Sequence, residues 1–333
     1  FAPEDVLVRV ELCGICGSDI HEWASPDRAR LAGPARPTVG GHEIVSVVEA
    51  VGPAVRGLKP GDRVVHEIVT FYCGQCVNCR QGKTNICLNM DPMAQRAHYV
   101  TGGGFAPYTV WPARHLHRLP DHLTAEEGVL MEPTAGSVHT LVERLRVRPG
   151  ESVAILGTGA RGLILLQVAR ALGAGPVVVT GLTRDEKVRL PLARELGADA
   201  VVNVEREDLR ERLAALTGSP YVDVVVENAG SPAAVRQAID IARPGGRVMI
   251  SGGGIRGGIE VALDTRAIIV KELDVLGEIS HTWSSWRTAL HLVATGRVRL
   301  KPLLTHVFPL ERWEQAFTLA STGDEAVRVA VRP

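Results

Sequence analysis

The sequence predicts an α/β protein: a β-rich first third followed by a doubly wound parallel sheet. Three observations carry this. Residues 6–12 alternate apolar and mixed side chains, short apolar runs alternate with helical segments from residue 153 onward, and Gly157-Thr158-Gly159-Ala160-Arg161-Gly162 joins one such run to the helix after it. A period of two marks a half-buried strand, and regular alternation of strand and helix implies a parallel sheet covered on both faces. At 333 residues the chain exceeds the size at which one core keeps growing, which favours two domains.

Val6, Val8, Val10 and Leu12 form the apolar face of the first strand, which delivers Cys16 into the loop beyond. Residues 44–51 and 64–68 read as further strands, the second launched by the turn Pro60-Gly61-Asp62. The character changes near Thr124. Residues 125–131 and 136–144 read as helices, and Pro149-Gly150 launches a strand at 153–156. More strands are expected at 177–180, 200–204, 222–227, 247–251 and 273–277, separated by helices near 160–172, 185–196, 206–216 and 231–242. The helix at 160–172 is apolar almost all round, as suits one packed deeply beside a sheet. Pro191 conflicts with a helix over 185–196, which it should kink or restart. Beyond about residue 295, the segment 302–309, a helical 311–321 and a strand-like 327–331 read as a return to the first domain. The expected division is 1–132 with a cysteine lobe at 71–90, then 133–290, then the return 291–333. No internal repeat or low-complexity segment stands out.

Lys plus Arg and Asp plus Glu each total 37, so the formal charge is zero and no basic field draws nucleic acid or an anionic membrane. No apolar run reaches the roughly 20 residues that span a bilayer, and residues 1–9 lack the apolar core of a secretory signal. The expected compartment is the cytoplasm, where thiolates meant for metal are safe from disulfide formation. The strand pattern begins almost at once after Phe1, which is not a methionine, so an N-terminal piece is expected to be missing.

The six cysteines fall into two groups. Cys73, Cys76, Cys79 and Cys87 follow C-x2-C-x2-C-x7-C, and four thiolates this close can wrap one tetrahedral Zn²⁺ with no other ligand, a closed structural site. Cys16 in Cys-Gly-Ser-Asp-Ile-His and His42 in Gly-Gly-His-Glu are a sparser, mixed set, suited to a catalytic zinc that keeps one position open. Two zinc ions per subunit are therefore expected. In the glycine motif, Gly157 permits the tight turn, Gly159 lets backbone approach a pyrophosphate and Gly162 allows close helix packing, while the helix N-terminus offers free N–H groups. This implies NAD(P). An acid is expected at the end of the second strand for the ribose, yet Gly181 stands there, followed by Arg184 and Asp185. Either Arg184 meets a 2′-phosphate or Asp185 takes the ribose from a shifted loop, and the balance leans slightly to NADP.

Cys-Gly-Ile-Cys-Gly-Ser-Asp-Ile-His at 13–21, Gly-Gly-His-Glu at 40–43, Lys-Pro-Gly-Asp-Arg-Val at 59–64, the four-cysteine lobe and the glycine motif occur in one order. This order resembles the zinc-dependent medium-chain dehydrogenase/reductase family over essentially the whole chain. Glu132-Pro133 and Val138-His139-Thr140 resemble its sorbitol (polyol) and threonine dehydrogenase branch. The resemblance implies a GroES-like β-rich catalytic domain, a Rossmann domain and an active site between them. It implies Cys16 and His42 as zinc ligands, Glu43 and Glu132 as competitors for the remaining protein position, and Ser18 and His21 as a proton relay. It also implies that Arg189 contacts the cofactor ribose, and that the protein is a homodimer or homotetramer. Gly181 and a long 181–189 loop depart from the family pattern.

The chemistry so implied is hydride exchange between NAD(P) and a secondary alcohol such as a polyol or amino alcohol, and its ketone. Zinc would serve as the Lewis acid, sharpened by a ligand set holding a single thiolate. A zinc-independent quinone or enone reductase and a non-catalytic nucleotide-binding protein are the rival classes. Cys13 reads as a small buried hydrophobe, and Asp19 as a clasp on its own loop's backbone. His66, His98, His115, His117, His122, His281, His291 and His306 read as surface or core residues and not ligands. Glu43 reads equally as a partner that orients His42. Trp283 and Trp286 read as packing residues.

Overall fold

A computed structural model describes residues 1–24, 39–68, 72–90, 102–252 and 260–333. His98 and residue 71, the expected start of the cysteine lobe, lie outside these. The strands in chain order are β1 (Asp5–Gly14), β2 (Glu43–Val51), β3 (Arg63–His66), β4 (Tyr108–Pro112), β5 (Leu116–Arg118), β6 (Val153–Leu156), β7 (Val177–Gly181), β8 (Ala200–Asn203), β9 (Val222–Glu227), β10 (Ala242–Ile250), β11 (Asp274–Gly277), β12 (Leu304–Pro309) and β13 (Arg328–Arg332).

They form two sheets. The first runs β12-β13-β1-β2-β3-β5, with β4 alongside the first half of β1. Val6, Val8, Val10 and Leu12 are all buried, as their alternation requires, and β12 and β13 return to this sheet, β13 pairing antiparallel with the end of β1. The second sheet is parallel throughout, in the order β11-β10-β9-β6-β7-β8. The first strand of this unit, β6, lies between β7 and β9, so the chain reverses direction across the sheet beside it. A crevice opens at such a switch point, outside the carboxyl ends of the strands.

The helix Ala160–Ala171 follows β6 directly and buries Leu163, Ile164, Leu165, Leu166 and Val168 completely. Each such side chain contributes on the order of 1.5–3 kcal/mol when removed from water. Two expectations change here. The segment 185–196 is a 3₁₀ turn, Thr183–Asp185, and then a helix that starts at Arg189. Pro191 thus falls in that helix's first turn, where its missing N–H would have had no partner. The helix expected at 136–144 starts earlier, at Met131, with Pro133 in its first turn for the same reason, and ends as a π-helix over His139–Arg144. Glu132 is therefore set rigidly in the first turn of a helix. The helix Trp283–Ala294 packs against Met131–Val138 and runs through residue 291. Among the described residues no helix is long and apolar enough to cross a membrane.

Candidate active site

Between the two sheets lies a cleft of about 520 Å³ with walls from both. In the first sheet Gly14 of β1 faces Glu43 of β2, so Cys16, just past the end of β1, and His42, just before the start of β2, emerge together. Asp19 closes the Cys16 turn by accepting its N–H at 2.8 Å, as the sequence suggests, and its other oxygen lies 3.7 Å from His42 Nδ1. One ligand atom each from Cys16, His42 and Glu43 lies within 4.8 Å of the other two. Burial opposes a charge on His42, but Asp19 and then Cys16 outweigh it and hold its pKa well above the ordinary imidazole value. A proton and a metal ion would compete for that ring.

Glu43 is 1% exposed. One of its oxygens pairs at 3.2 Å with the buried Arg328, while Oε2 is buried with no hydrogen-bond donor among the described residues. Burial pushes its pKa up to about 7, although Arg328 pulls the other way. A bare carboxylate oxygen in so dry a place fits a cation. Glu132 lines the same cleft without joining the close triplet. Burial would raise its pKa, but His281 and the positive groups His42 and Arg161 hold it below the ordinary carboxylate value. Ser18, part-buried, and His21, exposed, line the cleft between this cluster and solvent.

The four lobe cysteines also converge within 4.8 Å. Their backbone is arranged for thiolates: Gln75 and Cys76 N–H groups point at Cys73 Sγ at 3.4 and 3.3 Å, and Cys79 N–H at Cys76 Sγ at 3.4 Å. Those two N–H groups bring Cys73 down to about 6, whereas burial and its sulfur neighbours push Cys79 up to about 12. Four thiolates cannot share this space without a dication, and a tetrahedral Zn²⁺ fits it. Asn85 ties the lobe to the cleft by donating to the Ile279 carbonyl at 2.8 Å.

The glycine motif has the geometry its spacing implies. Gly157 takes φ +117°, a Cβ on Gly159 would meet nothing within 4 Å, and a Cβ on Gly162 would overlap the Gly157 carbonyl oxygen. The open space at Gly159, at the start of a helix, fits a pyrophosphate. At Gly181 a Cβ would come within 3.1 Å of Leu190, Thr158 and Asp185, so an acid has no room there. Asp185 is not a substitute: it is buried, with one oxygen accepting the Leu182 N–H at 2.8 Å and the other the Arg189 Nη1 at 3.2 Å. Arg184 is exposed on the same turn. Arg189 lines the cleft and also donates twice to the Ala326 carbonyl, tying the parallel sheet to the chain just before β13.

Four residues of this region escape sequence reasoning. Arg328, at the start of β13, is buried and also donates to the Ile15 carbonyl at 2.6 Å. Arg161, the variable position of the glycine motif, donates to Asn228, Ser251, Thr140 and Glu278 and so gathers five segments at the cleft wall. Glu227, at the end of β9 and fully buried, accepts N–H groups of Ala229, Gly230 and Gly252 and shapes the crevice. His281 faces Glu132. A charge at the very end of an apolar strand, as at Arg328 and Glu227, is the signal the sequence offers. Elsewhere the sequence reading fits for Cys13, which is fully buried, for His66 and His115, core residues with partners, and for Trp286, which is core; Trp283, expected to pack, is instead exposed, because it opens a helix on its solvent side.

Comparisons with known proteins place the chain in a family. Residues 2–121 match the alcohol dehydrogenase GroES-like domain and residues 161–295 the zinc-binding dehydrogenase family. The D-arabitol-phosphate dehydrogenase of Enterococcus avium is 34% identical over 97% of this chain and 88% of its own. The L-threonine 3-dehydrogenase of Pyrococcus abyssi is 35% identical over 96% and 89%. A solved structure described as a zinc-binding dehydrogenase from Sinorhizobium meliloti 1021, bound to NADP, superposes with a TM-score of 0.84 at 32% identity, covering 100% of this chain and 93% of that one. The chain belongs to the zinc-type medium-chain dehydrogenase/reductase family. It is a zinc-containing, NAD(P)-dependent oxidoreductase that exchanges hydride with a small alcohol.

Proposed function

We propose that Cys16, His42 and Glu43 hold the catalytic zinc, and that Glu132 faces the reacting oxygen from across the cleft. The bare, buried Oε2 of Glu43 carries this reading, since Glu132 stands outside the close triplet. The zinc supplies a Lewis acid and the nicotinamide a hydride acceptor. Asp19 fixes the Cys16 turn, and Arg328 opposes the rise in pKa that burial imposes on Glu43. Ser18 receives the substrate's proton and His21 passes it to solvent. Cys73, Cys76, Cys79 and Cys87 hold a second, structural zinc.

The substrate is a secondary alcohol of polyol or amino-alcohol type, in keeping with what the relatives' names say of them. NADP is the favoured nucleotide: Gly181 leaves no acid to repel a 2′-phosphate, Arg184 stands exposed beside that position, and the Sinorhizobium structure carries NADP. Residues 1–132 with 291–333 form the catalytic domain and 133–290 the nucleotide domain. Strand β11 is a sheet edge and nearby Ile269 and Val270 are exposed, which supports a homodimer or homotetramer. Cysteines gathered to bind metal, with none of the six bridged, suit the cytoplasm.

Zinc content and turnover of Glu43→Gln and Glu132→Gln test the assignment. Glu43→Gln should lose one zinc per chain, whereas Glu132→Gln should keep both and lose roughly 10- to 100-fold in kcat. The reverse pattern would exchange their roles.

A further inference from the structure

Behind Glu132, away from the cleft, lies a buried chain of polar rings that the reaction does not use directly. Trp286 is fully buried, and its indole N–H, a donor with no acceptor capacity, donates to His281 Nδ1 at 2.9 Å. An imidazole nitrogen that accepts a hydrogen bond carries no proton, so the neutral ring must bear its hydrogen on Nε2. That Nε2 is buried, meets no hydrogen-bond partner of full geometry among the described residues, and lies at an ion-pair distance of 3.3 Å from Glu132 Oε1, the acceptor within its reach. The indole is held in turn. His117 of β5 stacks on it at 4.8 Å and 12°, and His117 Nε2 donates to Glu67 at 2.7 Å, the same carboxylate that lies 3.3 Å from His115 Nδ1. His281 is 2% exposed and does not line the cleft.

We propose that His281 is a positioning residue for Glu132: its Nε2–H, placed by the Trp286 indole, holds one carboxylate oxygen from behind and turns the other toward Cys16 and His42. This rests on the reading of Cys16, His42 and Glu43 as the metal site. A carboxylate on a helix N-terminal turn can swing about its own side-chain torsions, and a single fixed donor behind it removes that freedom. The first sheet, through Glu67 and His117, thereby sets the aim of a group carried by the helix Met131–Val138.

The test uses variants of the full chain and two readouts besides turnover. His281→Leu removes the donor, His281→Gln restores an acceptor for the indole and a donor for Glu132, and Trp286→Phe removes only the indole N–H. His281→Leu should lower kcat roughly 10- to 100-fold with the nucleotide KM unchanged, Trp286→Phe should lower it less, and His281→Gln should recover most of it. Combined with Glu132→Gln, His281→Leu should add less than about twofold, because both act through one carboxylate. In protein whose cleft metal alone is exchanged for cobalt(II), the four-cysteine lobe keeping its zinc, the visible ligand-field bands should shift in His281→Leu and return in His281→Gln. Ring ¹⁵N shifts of the unsubstituted protein, which need no variant to fold, should show the Nε2–H form of His281. An Nδ1–H form, a multiplicative double variant, or unmoved cobalt bands in His281→Leu would overturn the inference. Cobalt bands that survive Cys16→Ala would instead overturn the reading of the metal site itself.

Discussion

The two candidate zinc sites are built in opposite ways. The lobe takes all four ligands from the short run 73–87, near the surface, and points its own backbone N–H groups at the sulfurs. The cleft gathers Cys16, His42 and Glu43 from two strand ends that only sheet pairing brings together, deep enough that burial moves Glu43 to about 7. A local, sulfur-only site can be complete without the rest of the molecule. A site assembled by tertiary structure keeps a bare oxygen and an open side, and its tuning comes from groups far along the chain, such as Arg328. Asn85 joins the two by bracing the Ile279 loop next to His281.

Removing one ligand from each site breaks the comparison most sharply. Cys16→Ala should abolish measurable turnover, a loss of more than about 10³-fold, while far-UV circular dichroism and dinucleotide binding stay as in the parent. Retained activity would reject Cys16 as a metal ligand. Cys76→Ser should act the other way round, lowering Tm by roughly 10 °C because a closed site contributes folding energy. Thermal scans in which the two variants melt alike would erase the distinction between a structural and a catalytic ion.

The lobe could be read almost completely from spacing, because its ligands are close enough in sequence for local geometry to dictate the cluster. The glycine motif was equally plain, since all three roles depend on the backbone within six residues. The cleft was legible only in part. Cys16 and His42 could be named, but seeing that Glu43, and not Glu132, lies close to both needed the β1–β2 register, and seeing Arg328 beside Glu43 needed the return of β13 to the first sheet. His281 looked like an ordinary core histidine, and half of it is: one nitrogen is satisfied by Trp286, and only the fold shows where the other points. Pro191 was legible in its own right: the restart it demands within 185–196 is the helix that begins at Arg189.

Smaller effects sharpen the contrast between the cleft's dry surroundings and the solvated lobe. His66 is fully buried; burial, and then the nearby His117, lower its pKa from 6.5 to about 3. Its folded value lies below the unfolded one, so its stability contribution is complete above about pH 6.5 and is lost as pH falls toward 3. Glu67 adds a second acid limb: burial would raise its pKa, but hydrogen bonds from His115 and His117 bring it to about 2, so its contribution fades from about pH 4.5 downward. Denaturant titrations should therefore show stability falling with decreasing pH by about 1.4 kcal/mol per unit below 6.5, and His66→Gln should flatten the part between 6.5 and 4.5. A slope unchanged in that variant would remove His66 from the account. The smallest change is Arg184→Ala, which should weaken NADP about tenfold and leave NAD binding within about twofold, since a phosphate pairs with the arginine and a bare ribose does not. An unchanged ratio of the two affinities would discard the phosphate role.

Anomalous scattering at the zinc edge from crystals of the full chain tests the central claim most directly. The account predicts two peaks per chain, one among the sulfurs of Cys73, Cys76, Cys79 and Cys87 and one within about 2.0–2.3 Å of Cys16 Sγ, a His42 ring nitrogen and a Glu43 oxygen. A lobe peak alone, with Cys16, His42 and Glu43 still gathered around nothing in protein grown with ample zinc, would contradict it.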